Sequence, residues 1–257
     1  MENTDNIKAI VVDLDKTLLH TDKSLSAYTI GILKKCKKCG MKLMVATARP
    51  LRTMEQYHNE VGFDAIVVSN GARVFCNGQQ IDHGICLETA VRLLNALTRF
   101  HDLRITVETG SCAYSNAPIA DYETVLTNDL VGIANKHGVL KILVHLDTDG
   151  VLAKVHNELP KDLHFTIANG YLMQIMHKDA TKWNGTKIML DAFDISASEV
   201  VYFGDDHDDV EPIKKCGLGI AVSNGIEEVK AAADHVVKSN DEDGVAVFIE
   251  KVLLKNR

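Results

Sequence analysis

The chain has 257 residues, 46% apolar and 25% charged, with a net charge of −7. That composition belongs to folded globular proteins rather than disordered or fibrous ones, and the acidic balance argues against a nucleic-acid partner, since no basic block exceeds Lys34-Lys35-Cys36-Lys37-Lys38. No apolar run approaches the roughly 20 residues of a membrane span, and Met1-Glu2-Asn3-Thr4-Asp5 lacks the basic and apolar regions of a signal peptide, so a cytoplasmic protein with no membrane partner is expected.

In the first third, strands are predicted over residues 7–14, 41–47 and 65–69. Helices are predicted over 26–39, capped by Ser26, and over 50–61, with Pro50 in the first turn. Apolar runs separated by amphipathic helices indicate a parallel, doubly wound sheet. Residues 71–78, with Val74 and Phe75 inside, predict a short hairpin that leaves the sheet. The six cysteines include a C-x-x-C at Cys36 and Cys39, but it ends a helical pattern before Gly40, the expected C-cap, and no second pair stands at zinc-ligand spacing. They read as ordinary thiols of a reducing compartment.

From about Asp82 the rhythm changes. The pattern predicts a helix over 88–100, a strand over 104–109, a polar stretch, a helix over 129–137, and strands over 141–146, 164–168 and 172–176, with a helix between the first two of these. Asn169-Gly170 is a strong hairpin turn. After Lys182 the alternation resumes, with strands over 200–203, 218–222 and 235–237 and helices over 184–193, 210–216, 226–233 and 244–254. The fold class expected is α/β: a doubly wound, Rossmann-like parallel-sheet core from residues 1–82 and 181–257, with an inserted α+β domain over 83–180. Both crossings are short, so any relative motion would be a hinge.

Three strand ends carry polar chemistry. Asp13-Leu14-Asp15-Lys16-Thr17 follows the apolar run Ala9-Ile10-Val11-Val12. Taken alone, this D-x-D reads equally as a surface turn. Gly204-Asp205-Asp206-His207-Asp208-Asp209 follows Val200-Val201-Tyr202-Phe203 and holds four Asp in five positions, more than a helix N-terminus accounts for. If the two clusters converge, six carboxylates share one crevice, and a hard divalent cation such as Mg²⁺ offsets them. At the third strand end, Thr47-Ala48-Arg49-Pro50 supplies a hydroxyl and backbone N–H groups entering a helix. A lone lysine, Lys182, stands at the return from the insertion.

Together, D-x-D-x-T, the strand-end Thr47, Lys182 and G-D-x-x-x-D are the four motifs of the haloacid dehalogenase superfamily. The chain resembles its Cof-type branch, sugar-phosphate phosphatase-like proteins with a large α/β (C2, type IIB) cap between the second and third motifs. The resemblance covers nearly the whole chain, including Ser69-Asn70-Gly71-Ala72, Ala221-Val222-Ser223-Asn224, Ala233-Asp234 and the segment from Ser239 to Val245. It implies a Mg²⁺-dependent phosphatase for phosphomonoesters of small metabolites, acting through an aspartyl-phosphate. In that scheme Asp13 is the nucleophile and Asp15 the general acid and base. Mg²⁺ is held by Asp13, the Asp15 carbonyl and Asp205, with Asp209 as an alternate or outer ligand. Thr47, the Ala48 N–H, Lys182 and the position of Asp208 bind phosphoryl oxygens, and Lys182 also offsets charge on Asp13. The inserted domain becomes a specificity cap, with the loop 111–118 facing the core, on a monomer or weak homo-oligomer.

Four positions depart from the branch pattern. Asp208 stands where Asn is usual, Trp183 where a small residue follows the motif lysine, Ala48 replaces a common Gly, and Glu211-Pro212-Ile213 replaces Glu-Met-Leu. An ionised Asp208 cannot donate to phosphate; it turns away, holds a proton or weakens phosphate binding. Trp183 packs at a hinge or walls the pocket. Two other functions stay open on the sequence: a hexose phosphomutase, and a phosphometabolite-binding protein whose site has decayed at Asp208. His207 and the histidines His145, His156 and His164 read as loop, packing or surface residues.

Overall fold

The computed structural model describes residues 6–255; Met1-Glu2-Asn3-Thr4-Asp5, read above for a leader, lies outside the described residues. The chain divides into two compact units, one formed by the residues up to Arg49, Thr53–Ile81 and those from Thr181 onward, the other by Pro50–Arg52 and Asp82–Ala180.

The chain opens with β1 (Ala9–Val12), α1 (Ala27–Lys38), β2 (Lys42–Ala46), α2 (Leu51–Val61), β3 (Ala65–Val68), β4 (Arg73–Cys76) and β5 (Gln79–Asp82). It continues through α3 (Leu87–Leu97), β6 (Ile105–Glu108), β7 (Ala113–Ser115), β8 (Val125–Leu126), α4 (Leu130–His137), β9 (Lys141–His145), α5 (Val151–Glu158), β10 (Leu163–Ala168) and β11 (Leu172–His177). It returns with α6 (Lys182–Ala192), β12 (Val200–Gly204), α7 (Val210–Lys215), β13 (Leu218–Val222), α8 (Glu227–Ala232), β14 (His235–Val237) and α9 (Gly244–Phe248).

In the first unit the sheet order is β14-β13-β12-β1-β2-β3-β4-β5, parallel from β14 through β3. Every residue of β1 and β12 is buried, which is why both read as unbroken apolar runs rather than alternating ones. The chain winds outward from β1 through β2 and β3, then resumes on the other side at β12. The carboxyl ends of β1 and β12 therefore flank a topological switch point, where open α/β sheets hold their ligands. The α/β, doubly wound class expected from the sequence is the class observed. Local signals also hold: Ser26 caps α1 by accepting from the Thr29 N–H at 3.0 Å.

The second unit is a six-stranded sheet, β10-β11-β9-β6-β7-β8, antiparallel except between β7 and β8. Its helices α3, α4 and α5 pack through Leu93, Leu94, Leu130 and Val155 onto Ile105, Val107, Ile142 and Ile175. The alternate residues of the same strands, Thr106, Glu108, Lys141, His145 and Gln174, are buried and polar. The Arg52 guanidinium pairs with Glu108, and the Lys141 ammonium donates to Gln174 Oε1 at 2.6 Å. The hairpin at Asn169-Gly170 forms with both residues at positive φ. Among the described residues no helix is long and apolar enough to cross a membrane.

Three expectations are corrected. The hairpin does not leave the first sheet: β4 pairs antiparallel with β3, Val67 opposite Val74, because the outer edge of β3 has backbone groups that need partners. The polar stretch after Glu108, including 111–118, contains β7 and β8, too short and polar for a periodicity to show. Residues 244–254 are regular only to Phe248 and then widen into a looser turn over Ile249–Leu253. The glycine stop expected at Gly40 is present: Gly40 follows Cys39 at φ +83°, with its N–H bonded to the Lys37 carbonyl at 2.9 Å and the Met41 N–H to the Cys36 carbonyl at 3.1 Å.

One turn ties the sheet to the helix that carries Lys182. After β3 the backbone passes through Ser69, Asn70 and Gly71, all at positive φ, with Gly71 at +103°. A Cβ on Gly71 would overlap the backbone of Thr181, the cap of α6. Gly71→Ala should therefore combine left-handed strain with a backbone collision and cost about 2–4 kcal/mol, read as a lowered midpoint in urea unfolding.

Candidate active site

Asp13 leaves β1 with its N–H bound to the Phe203 carbonyl at 3.0 Å, so it emerges beside the end of β12 and the following Asp205. Lys182, the first residue of α6, projects between them. Its side chain is 4% exposed, and the ammonium donates to Asp13 Oδ1 and to Asp209 Oδ1, each at 2.7 Å. A lysine at a helix N-terminus is opposed by the helix dipole; here the two buried carboxylates override it.

Asp209 is fully buried and accepts four hydrogen bonds. Lys182 and the Tyr202 hydroxyl, at 2.8 Å, share Oδ1. The Asp205 and Asp206 N–H groups, at 3.1 and 3.2 Å, share Oδ2. Asp205 Oδ1 accepts from the Thr17 hydroxyl at 2.8 Å. Carboxylate oxygens of Asp13, Asp205 and Asp209 lie within 4.8 Å of one another, the one such convergence of potential metal ligands among the described residues.

The electrostatics follow from one ammonium facing three buried carboxylates. Burial alone would discharge Lys182, but Asp13, Asp209 and Asp208 reverse this and hold it charged. Burial pushes the Asp13 carboxyl well above its usual range; Lys182 opposes the rise, and Asp209 and Asp205 add to it. Burial and the nearby Asp209 push Asp205 up to about 6, against Lys182 and the Thr17 hydroxyl. Burial, Asp209 and Asp13 keep the Tyr202 phenol neutral and therefore a donor.

The six aspartates of the two clusters do not share one crevice. Asp13, Asp205 and Asp209 converge, while Asp206 turns back to accept from the His207 N–H at 2.8 Å. Asp208 takes the first of the routes open to it, turning away: it accepts from the Asn70 side-chain amide. Asp15 points to cations. Arg49 Nε donates to its Oδ2 at 2.6 Å, and Arg49 Nη2 and Lys23 Nζ each donate to its Oδ1 at 2.7 Å. Burial raises the Asp15 pKa, but hydrogen bonds and charge from Arg49 and Lys23 outweigh it and hold the carboxyl below its usual value.

Thr47 is buried at the end of β2, its hydroxyl accepting from the Arg49 N–H at 3.1 Å, and half-buried Ala48 follows it. Trp183 is half-buried on the apolar core of the first unit, with the Lys215 ammonium 5.1 Å from its ring centroid. His207 is exposed beside Glu228. In the second unit, His145 is sandwiched between Tyr122 and Tyr171, and His156 meets Phe165 edge-on. Four contributors have no role predictable from the motifs alone: Arg49, Lys23, Tyr202 and Thr17. Arg49 and Thr17 sit inside motifs and could have been asked for a partner. Lys23 is a loop lysine and Tyr202 a strand aromatic, with no local signal.

A model of the haloacid dehalogenase-like hydrolase family matches residues 10–249. The 5-amino-6-(5-phospho-D-ribitylamino)uracil phosphatase YitU of Bacillus subtilis is 26% identical over 94% of this chain and 96% of its own. A haloacid dehalogenase-like hydrolase from Bacteroides thetaiotaomicron superposes with a TM-score of 0.85 at 25% identity, covering 96% of this chain and 99% of that one. A sugar phosphatase of subclass IIB of the superfamily shares the fold, with a TM-score of 0.80 at 22% identity over 95% of this chain and 98% of the other. With the family's model spanning nearly all of its length, this chain belongs to the haloacid dehalogenase-like hydrolases.

Proposed function

We propose that the protein is a phosphoric monoester hydrolase acting on small phosphorylated metabolites through a covalent Asp13 phosphoryl ester. The observation that carries this reading is the state of Asp13. One oxygen is held by Lys182 at 2.7 Å, which orients the carboxylate and offsets its charge; no hydrogen bond engages the other among the described residues. A carboxyl oxygen left open beside a fixed cation is placed for attack on an anionic phosphate, and a bound divalent cation would offset the burial that raises its pKa.

In the first transfer, the second oxygen of Asp13 bonds to phosphorus as the bond to the leaving oxygen breaks, and that oxygen takes a proton from the protonated form of Asp15, which Arg49 and Lys23 make the minor form in the free protein. Lys182, the Thr47 hydroxyl and the Ala48 N–H stabilise the phosphoryl oxygens. In the second, water bonds to phosphorus, its proton passes to Asp15 and the Asp13–phosphorus bond breaks, releasing phosphate. Asp15 thus returns to its starting state. Positioning and electrostatics supply most of the rate in such transfers.

The donor set fits a hard divalent cation, since it consists of carboxylate oxygens alone. Asp13 and Asp205 would hold Mg²⁺, joined by the Asp15 carbonyl; Asp209, with both oxygens committed, would orient Lys182 and Asp205. Bound there, Mg²⁺ would supply positive charge opposite the phosphoryl oxygens. For the second unit, an insertion between the Thr47 and Lys182 motifs, we propose the role of specificity cap, supported by its buried polar set of Glu108, Lys141, His145 and Gln174.

Three measurements check this reading. Asp13→Asn should lower hydrolysis of p-nitrophenyl phosphate by roughly 10³-fold or more while the circular-dichroism spectrum is retained. Asp208→Asn should keep the Asn70 contact through its amide oxygen and remove a negative charge, tightening competitive inhibition by inorganic phosphate by about threefold to tenfold. The third concerns pH. Asp205 has a folded pKa of about 6, above the carboxylate value expected on unfolding. The folded state thus binds the extra proton, and its stabilisation is present at low pH and lost as pH rises. Metal-free protein in chelator should lose on the order of 2 kcal/mol between pH 4 and pH 8 by urea unfolding. Added Mg²⁺ should restore stability at pH 8 and have little effect at pH 4, where its ligands are protonated.

A further inference from the structure

The hydrogen bonds to Asp15 specify more than a surface ion pair would require. A carboxylate offers about four lone-pair positions. Lys23 Nζ and Arg49 Nη2 take both on Oδ1, and Arg49 Nε takes one on Oδ2. One acceptor position is left, on Oδ2. The two cations are themselves held by one side chain: the Tyr57 ring lies under the Arg49 guanidinium at 5.3 Å, and the Tyr57 hydroxyl donates to the Lys23 carbonyl at 2.9 Å. Arg49 Nη1 is further tied to the Thr53 carbonyl at 3.2 Å.

Stability does not explain Lys23. Its side chain is half exposed, and such ion pairs contribute little to folding. Its backbone sits at φ +69°, a conformation that costs any residue but glycine. A strained residue locked by a tyrosine, delivering an ammonium to one oxygen of an acid–base group, is better explained by the geometry of that group.

We propose that Lys23 is a positioning residue for the second half of the reaction, holding the Asp15 carboxylate so that its single open acceptor position receives the proton of the hydrolytic water. The proposal rests on the roles of Asp13 and Asp15 given above. In the step concerned, the water oxygen bonds to phosphorus, the Asp13–phosphorus bond breaks and the water proton moves to Asp15 Oδ2. Without Lys23, Oδ1 regains an acceptor position and the carboxylate can swing about the Arg49 fork, so the water loses its unique partner. The first transfer from a substrate whose leaving group needs no proton does not use this orientation.

The test uses p-nitrophenyl phosphate, whose leaving group departs unprotonated, with acid quench to trap the phosphoenzyme. Lys23→Met should lower kcat about tenfold and KM with it, leaving kcat/KM unchanged and raising the steady-state phosphoenzyme. Lys23→Arg should restore kcat. Tyr57→Phe, which keeps the ring under Arg49 but frees the Lys23 carbonyl, should show the same pattern more weakly. A fall in kcat/KM parallel to kcat, or a phosphoenzyme level equal to the parent's, overturns the proposal. Asp15→Asn separates the two layers. If it accumulates phosphoenzyme and Lys23→Met does not, the Lys23 role alone fails; if Asp15→Asn accumulates none, the Asp15 assignment fails and the Lys23 role falls with it.

Discussion

The Lys182 ammonium, buried between Asp13 and Asp209 at 2.7 Å from each, is the constraint around which the first unit is arranged. A charge so placed is costly unless its partners are close and fully hydrogen-bonded, and removing one partner leaves the others stranded. Asp209 meets that condition with four donors. Lys182 also requires α6 to start at one place, and the approach of Gly71 to Thr181 and of Gly185 to Val67 brings the helix close enough to the sheet. Small residues at those two points are thus part of the electrostatics, since a side chain there would pull the ammonium from its carboxylates.

The aspartates divide the labour. Among the described residues, Asp13 keeps one oxygen without a hydrogen bond, Asp205 keeps one opposite the oxygen that faces Thr17, and both oxygens of Asp209 are taken. Asp15 lies outside this group in the company of Arg49 and Lys23. Two carboxyls two residues apart thereby experience opposite fields: that of Asp13 is pushed up by burial and like charge, while that of Asp15 is drawn down by two cations. One short motif thus sends its two carboxyls to different partners, Asp13 to Lys182 and Asp15 to Arg49 and Lys23.

The parallel sheet makes this division possible. Because β1 and β12 run side by side with Val12 opposite Phe203, residues far apart in the chain leave the sheet at the same edge, and the switch in winding direction keeps a helix from closing over it. In the second unit the same alternation of side chains across strands puts an apolar core on one face and buried polar groups on the other.

The class of fold, most element positions and the residue types assembled at the strand ends are legible along the chain, because they depend on short-range periodicity, capping and turn chemistry. Ser26, Asn169-Gly170 and the unbroken runs of β1 and β12 declare themselves within a few residues. Tertiary structure decided which partners the charges took. That Asp208 turns to Asn70, that Arg49 and Lys23 share Asp15, that Tyr202 serves Asp209 and that the β4–β5 hairpin joins the sheet are outcomes of contacts between distant segments. Local pattern carries no record of them, since a lysine in a loop or a tyrosine in a strand looks the same whether its polar end meets water or a carboxylate brought from elsewhere in the chain.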